Sequence, residues 1–405
     1  MSDKSIGDTL REKRRLRGWT QEELAHEAGL SLQVVKKIEQ GGTARLETLH
    51  QLARSLGVVT LTFVAPKSPE PRDDDHDVAV LSEIRAAITP PIGLRGLPMH
   101  ETVDAEDLDL PRLNRAVEAM VRAYHSDRYD DLAGILPALV HSAHHHVAGL
   151  SNRSRHDALR TRAAIVGLAG RYLIQVRAHD LALTALHASL RDALEIDDTP
   201  LAAAAISGQA HAMLRQGRFA EVERLCADTA DTLEPRISSA SPDQLAAWGW
   251  MLLRASAAAA RNNRPEEARD YHRVADAAAA SLQGEHPTVD AKTFGPLTVK
   301  MKTVENALVG GTPAKALELA ATLQRTVGIT NEEWGRHRLD VARAHSLTGH
   351  PDQTVEMLMD LRRQTPQWLR YQQIARDIYR DVINAGSRAL TDDQRNLADF
   401  LGICD

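Results

Sequence analysis

Gln33, Lys36, Lys37 and Gln40 recur at helical spacing within the run Leu32–Gln40, and each ends in an amide or an ammonium group. A primary amide donates and accepts together, which is what the N6/N7 edge of adenine requires. An ammonium group donates to guanine O6 and N7. Val35 and Ile38 occupy the opposite face of the same run, so the polar groups project from a helix whose back is buried. Glu39 is the one acid there, and its register places it toward the packed side. A merely solvated face would mix both signs of charge; this one suits a DNA major groove.

Such a face needs a support. Thr20 stands three residues before Glu23, the spacing of a capping box in which hydroxyl and carboxylate each satisfy the other residue's backbone N–H. Leu24, Ala25 and Ala28 give the following helix a buried stripe. Gly29 tolerates the positive φ of a tight turn, and Ser31 is placed to cap the next helix. Residues 18–41 therefore predict two short helices joined by a turn. The Ser31 hydroxyl and the amides at that helix start also suit a phosphate.

Residues 6–57 resemble the Cro/cI-type (XRE) helix-turn-helix family. The resemblance rests on Leu10-Arg11, Arg14, Gly18, Thr20-Gln21, Leu24-Ala25, Ala28-Gly29, Ser31, Ile38-Glu39 and Gly41, then Leu49, Leu52-Ala53 and Leu56-Gly57. It implies a five-helix, lambda-repressor-like domain that binds double-stranded DNA. It also implies base contacts from Leu32 and Gln33, with Lys37 one turn on. Leu32 stands where a polar residue is commoner, so a thymine methyl is its expected partner. Gln21 matches a phosphate-contacting position. Thr43 and Arg45, in the loop after the recognition helix, are expected at the backbone or minor groove. Arg14 and Glu39 match a partly buried salt bridge that pins the recognition helix, which excludes both from base reading. The run Arg11, Lys13, Arg14, Arg15, Arg17 is read partly as a solvated face, with one or two members reaching phosphate.

The stretch 58–65, VVTLTFVA, alternates Val59, Leu61 and Phe63 with Thr60 and Thr62 and predicts a half-buried strand. It either pairs with its copy across a two-fold axis or lies over its own module. A single module contacts few bases, so a homodimer is expected. Its operator would be near-palindromic, with half-sites about 10 bp apart or a multiple. The prolines and acidic run of 66–77 cannot pack a core. We divide the chain into a DNA-binding domain with its terminal strand (1–66), a linker containing a short helix at 78–88 (67–98), and a helical domain (99–405).

From about residue 111, turn signals recur between apolar-periodic helices: SDRYDDLA at 126–133, RAHDLALTAL at 177–186, QGRFAEVE at 216–223, NNRPEEAR at 262–269, GGTPAKALEL at 310–319 and TGHPDQTVEM at 348–357. Their spacing is irregular, roughly 38 to 51 residues, against about 34 for a tetratricopeptide (TPR) unit. Gly217-Arg218-Phe219, Ala268 and Ala316 resemble elements of that repeat, although the full consensus is missing. The expected fold is all-α: a helix-turn-helix domain, a strand and linker, then a TPR-like α-solenoid. Aromatics make up only 4% of the chain, so Ala, Leu, Val and Ile must fill its cores.

A solenoid of hairpins offers a concave face to a peptide or small molecule. If the first helix of each hairpin lines it, counting back about six, ten and thirteen residues from each turn selects Tyr172, His211, Trp250, Glu305, His337 and Asp340, with Gln175 beside them. Core packing is the plainer role for Trp250 and its neighbour Trp248. His141, His144, His145 and His146 cluster on one helix without an acidic or cysteine partner, so no metal is expected. No phosphate-binding glycine loop, HExxH or GxSxG appears, and no cofactor or enzymatic activity is expected.

The net charge of −6 argues against non-specific coating of nucleic acid. The two cysteines give no disulfide framework. No run suits a membrane span, and MSDKSIGDTL lacks the apolar core of a secretory signal. The arrangement as a whole resembles the peptide-sensing, quorum-sensing regulators of Gram-positive bacteria (the RRNPP group) and many actinobacterial regulators. The expected protein is a cytoplasmic homodimeric transcription regulator with a sensed effector. A protein-interaction scaffold or antitoxin-like partner binder, with autoregulatory DNA binding, is the alternative.

Overall fold

Four short helices build the N-terminal module: α1 (Ile6–Leu16), α2 (Gln21–Glu27), α3 (Leu32–Glu39) and α4 (Leu46–Leu56). The structure is a computed structural model, and it describes residues 6–42, 44, 46–56, 58, 75–94, 108–385 and 390–403. Four of the five expected helices of this module are therefore seen among the described residues. Leu10, Leu24, Val35, Ile38 and Leu52 are buried at its centre. Gly7 lies so close to the Ile38 carbonyl that a Cβ there would overlap it, which lets α1 press against α3. The strand expected at 58–65 and most of the linker lie outside the described residues. The linker helix, α5 (Asp75–Ile88), begins earlier than the expected residue 78.

The body is a succession of helical hairpins: α6 (Leu110–His125) with α7 (Tyr129–Gly149), α8 (Asn152–Gln175) with α9 (His179–Glu195), and α10 (Thr199–Arg215) with α11 (Phe219–Leu233). There follow α12 (Pro242–Arg261) with α13 (Pro265–Ala280), α14 (Pro296–Val309) with α15 (Pro313–Ala320), and α16 (Asn331–Leu347) with α17 (Pro351–Gln364). Then come α18 (Pro366–Arg370), α19 (Gln373–Ala385) and α20 (Asp392–Leu401). The only sheet among the described residues is a two-stranded ribbon, β1 (His286–Pro287) antiparallel to β2 (Thr293–Phe294), between α13 and α14. The protein is all-α.

The hairpin turns share one geometry. Asp127, Arg177, Gly217, Asn263, Gly311 and Gly349 all sit in the left-handed region, with φ from 59° to 78°. In each case the next residue's N–H donates to the carbonyl five residues back, as Arg128 does to Ala123 and Thr312 to Ala307, at 2.9–3.0 Å. This is the Schellman closure, which satisfies carbonyls left over at a helix end. Pro265, Pro313 and Pro351 then open the second helix of three hairpins, where their missing N–H costs nothing. One turn geometry used six times explains why the punctuation is regular although the spacing is not.

Small side chains set the packing. Ala255, Ala257, Ala258 and Ala259 of α12 are all buried. Gly249 leaves room for the Phe294 ring of the ribbon, which a Cβ would overlap. Helices α8, α10, α12, α14 and α16 pack each against the next and form an inner layer. The array then closes on itself. Asp127, from the first turn, accepts the N–H groups of Gln367 at 2.8 Å and Trp368 at 2.6 Å, capping α18 from a distance. Gln372 donates to Gln175 at 3.1 Å, and Arg177 to Gln373 at 3.0 Å. The last helices thereby add a wall, with Trp368, Gln372 and Ile374, to a pocket on the inner face.

Candidate functional site

The recognition helix α3 is held from behind by a charged network. Arg14 grips Glu39 with two bonds, Nε to Oε1 at 2.6 Å and Nη2 to Oε2 at 3.0 Å, and its Nη1 donates to the Trp19 carbonyl at 2.7 Å. Both side chains are buried. Arg11 adds a bond to the Glu39 carbonyl. Burial works to raise the Glu39 pKa, but the bonds from Arg14 and Gln21 and the charges of Arg14 and Arg11 outweigh it and hold the carboxyl below its usual range. A bidentate pair of this kind fixes orientation as well as charge. Its position at the end of α3 sets the angle at which that helix is presented.

In front, Gln33, Lys36, Lys37 and Gln40 are all exposed on one face. The capping box forms as its spacing required: Thr20 Oγ1 accepts from the Glu23 N–H at 3.1 Å, and the Thr20 N–H donates to Glu23 Oε2 at 2.6 Å. Gly29 takes its positive φ of 65°.

Three expectations need amending. Ser31 occupies the cap position of α3 with extended backbone, but its side chain makes no capping bond; the hydroxyl stays exposed. Gln21 donates from its amide to Glu39, Nε2 to Oε2 at 2.7 Å, so one of its two N–H groups serves the salt bridge. Leu32 is half-buried and packs against the module's core, which leaves only part of it for a base. Thr43 and Arg45 lie outside the described residues. Of the basic run, Arg17 stacks over Trp19 and donates to the Ser55 carbonyl at 3.2 Å.

The second candidate site is a solvent-open pocket on the inner face of the body, about 470 Å³ in volume, within the range of small-molecule sites. Gln175, His211, Trp250, Glu305, His337 and Asp340 all line it. Tyr172 does not. Its ring is buried and stacks on Tyr129 at 6.2 Å; one turn of helix separates it from Gln175, and it faces the second layer. Trp250 combines core and cavity roles: it is buried, its indole N–H donates to the Thr293 carbonyl at 3.0 Å, and its ring lines the space.

Sequence reasoning missed the cavity's cations, among them Arg215, Arg254, Arg261, Lys302 and Arg336. The signal was present. Arg215 follows His211 by four residues and Arg254 follows Trp250 by four, the spacing that shares a helix face. Arg261 and Lys302 both bind Glu305, at 2.6 and 2.7 Å. These cations and Arg336 hold Glu305 ionised against its burial, which works the other way. Burial foremost, then the charges of Lys302 and Arg338, drives His337 down to about 4.

The histidines at 141–146 form no such site. His146 Nδ1 lies 2.7 Å from the Ser142 carbonyl of its own helix, and among the described residues no group of His, Cys, Asp and Glu is arranged to hold a metal ion. Among the same residues, no helix is long and apolar enough to cross a membrane.

Residues 10–64 match the helix-turn-helix family. That match covers under half of the chain; together with this exposed face it supports a DNA-binding module of the XRE type in that segment. No curated protein matches the chain.

Proposed function

We propose that the protein reads a specific operator through α3 and senses a small-molecule or peptide effector in the cavity of its helical body. Gln33 and Lys37 read bases, Lys36, Gln40 and the Ser31 hydroxyl add contacts, and Arg14 and Glu39 hold the helix in place. The body is read as a TPR-like solenoid, with residues 1–66 as a separable head. The working form is a cytoplasmic homodimer on a near-palindromic site, because one head contacts too few bases to select an operator.

The observation that supports the sensing role is the convergence of Gln175, His211, Trp250, Glu305, His337 and Asp340 on one pocket. These residues come from α8, α10, α12, α14 and α16, so a bound effector would bridge all five helices of the inner layer. An effector with different affinity for two arrangements of the array shifts the heads; one that binds both equally changes nothing.

Genome-wide footprinting of the protein's binding sites tests the reading. Discrete sites with two-fold symmetry are expected. Equal affinity for native promoters and scrambled duplexes at low ionic strength, with and without cell extract, removes operator recognition. A stoichiometric protein partner in the purified material, in place of a bound small molecule or peptide, removes the sensing half.

A further inference from the structure

Two guanidinium groups of the cavity have no carboxylate partner among the described residues. The acids that line the space make their close contacts elsewhere, although Glu305 and Glu332 act on both guanidinium groups from a distance. Glu305 holds Arg261 and Lys302, and Asp340 lies 3.6 Å from Arg336. Glu332 accepts from Gln175 at 2.6 Å, and Glu333 caps α16 and binds Thr293. Asp377 accepts from Gln373 at 2.8 Å. Lys292 has its own partner in Asp290, at 2.9 Å.

Arg254 and Arg215 are left over. Arg254 is only 8% exposed. Its Nε reaches the Ser207 hydroxyl at 3.4 Å, and its guanidinium lies over the Trp250 ring at 5.2 Å. Both contacts are with neutral groups. Arg215 opens into the cavity, and its Nε lies 3.5 Å from His211 Nε2. Accepting there, His211 carries its proton on Nδ1 and stays neutral. Burial, then the charges of Arg254, Arg215, Lys292 and Arg336, pushes its pKa well below the ordinary value. Every charge named there is positive. For Arg254 a buried guanidinium without a counter-ion is costly, and an anion that accepts its N–H groups removes that cost; Arg215, exposed beside it, adds a second positive donor to the same pocket.

Resting on the effector reading above, we propose that this cavity takes an organic anion, its carboxylate or phosphate head held by Arg215 and Arg254 and its apolar body against Leu214, Met301, Trp368 and Ile374. These four apolar residues share the cavity with the two cations. His211, through Nδ1–H, supplies a further donor for the head. The size of the space admits a head and a hydrocarbon or aromatic body together.

The test uses the full-length protein and a matched pair of dyes. 8-Anilinonaphthalene-1-sulfonate carries an anionic head; N-phenyl-1-naphthylamine is the same body without it. The sulfonate dye is expected to bind saturably, with energy transfer from tryptophan, and at least about tenfold more tightly than the neutral dye. Arg215→Gln and Arg254→Gln should each erase most of that difference and leave the neutral dye's affinity unchanged, which also reports an intact cavity. Arg215, exposed and outside the core, provides the variant least exposed to misfolding. Decanoate and decyl phosphate compete in separate arms; displacement by either supports the anion site and says which head fits. Equal affinity for the two dyes, or a sulfonate affinity indifferent to both substitutions, overturns the anion assignment and leaves a neutral effector in place. Failure of both dyes to enter the cavity overturns the assignment together with the effector reading.

Discussion

The side-chain amide of Asn263 donates to the main-chain carbonyl of Arg54 at 3.0 Å. The guanidinium of Arg54 donates in turn to the Gly310 carbonyl at 2.8 Å. A residue of α4 is thus clasped by the turns that end α12 and α14, the two helices that supply Arg254, Arg261 and Glu305 to the cavity. Under the proposed sensing role, this clasp is the contact through which a displacement of those helices would reach the N-terminal module. Arg54→Ala removes the bond to Gly310 and should cost under about 1.5 kcal/mol of stability, as a typical exposed hydrogen bond does. It should also loosen the head from the body, seen as a larger radius of gyration in small-angle scattering at unchanged helicity. An unaltered scattering curve would show that the clasp does not set the head's position.

Gln33→Ala and Lys37→Ala should each cost about 1–3 kcal/mol on the cognate operator and relax selectivity at the contacted base. Fluorescence anisotropy on cognate and scrambled duplexes decides the matter. Equal losses on both would reassign these side chains to phosphate.

Glu39→Ala strands Arg14, a buried guanidinium already bonded to little else. Breaking one partner of such a pair costs about 3–5 kcal/mol. Glu39→Gln, which keeps an acceptor and the shape, should cost less. Hydrogen exchange at the α3 amides reads the change locally. Protection that survives Glu39→Ala would mean that apolar packing alone holds the recognition helix.

Gly249→Ala drives a methyl group into the Phe294 ring. Both residues are buried, and Phe294 belongs to the ribbon that also supplies the Thr293 carbonyl to Trp250. Overpacking of this kind costs about 1–3 kcal/mol, measurable by urea denaturation. Since the clash is with a ring on a short ribbon, Phe294→Leu in the same chain should restore part of the loss.

Three buried histidines predict the acid limb of stability. Burial above all, assisted by Arg171 at His125, by Arg215 and Arg177 at His179, and by Lys302 and Arg338 at His337, lowers each from 6.5 to about 4. The unfolded chain therefore binds more protons than the native one between those values. Stability is fully present above about pH 6.5 and falls as pH drops toward 4, by about 1.4 kcal/mol per unit of difference for each histidine. Urea titrations across that window should show the slope, and His337→Gln should reduce it by about a third. A flat profile in the parent protein would place these rings in water.

Short-range chemistry was legible without coordinates. Thr20 and Glu23 cap each other because the two groups stand one helical turn apart. Gly29, Gly217, Gly311 and Gly349 mark left-handed turns because no side chain opposes the positive φ. The polar face of α3 follows from the alternation of Gln33, Lys36 and Lys37 with Val35 and Ile38. Counting back from the turns also selected five residues that line one pocket, His211, Trp250, Glu305, His337 and Asp340, because inner-helix positions recur with the helical period.

What the chain alone did not reveal depends on groups far apart in sequence. Gln21 looked free for phosphate until Glu39 took one of its amide N–H groups. Tyr172 shares a helix with Gln175, yet its register turns it onto Tyr129 and away from the cavity. Arg215 and Arg254 went unremarked in the sequence, and only the lack of an ion pair to either among the described residues, in a pocket where Arg261, Lys302 and Lys292 each have one, singles them out. The bond between Gln372 and Gln175 makes the same point for the fold: turns and periodicity dictate a row of hairpins, but whether that row stays an open groove or gains a further wall is decided by where its two ends meet.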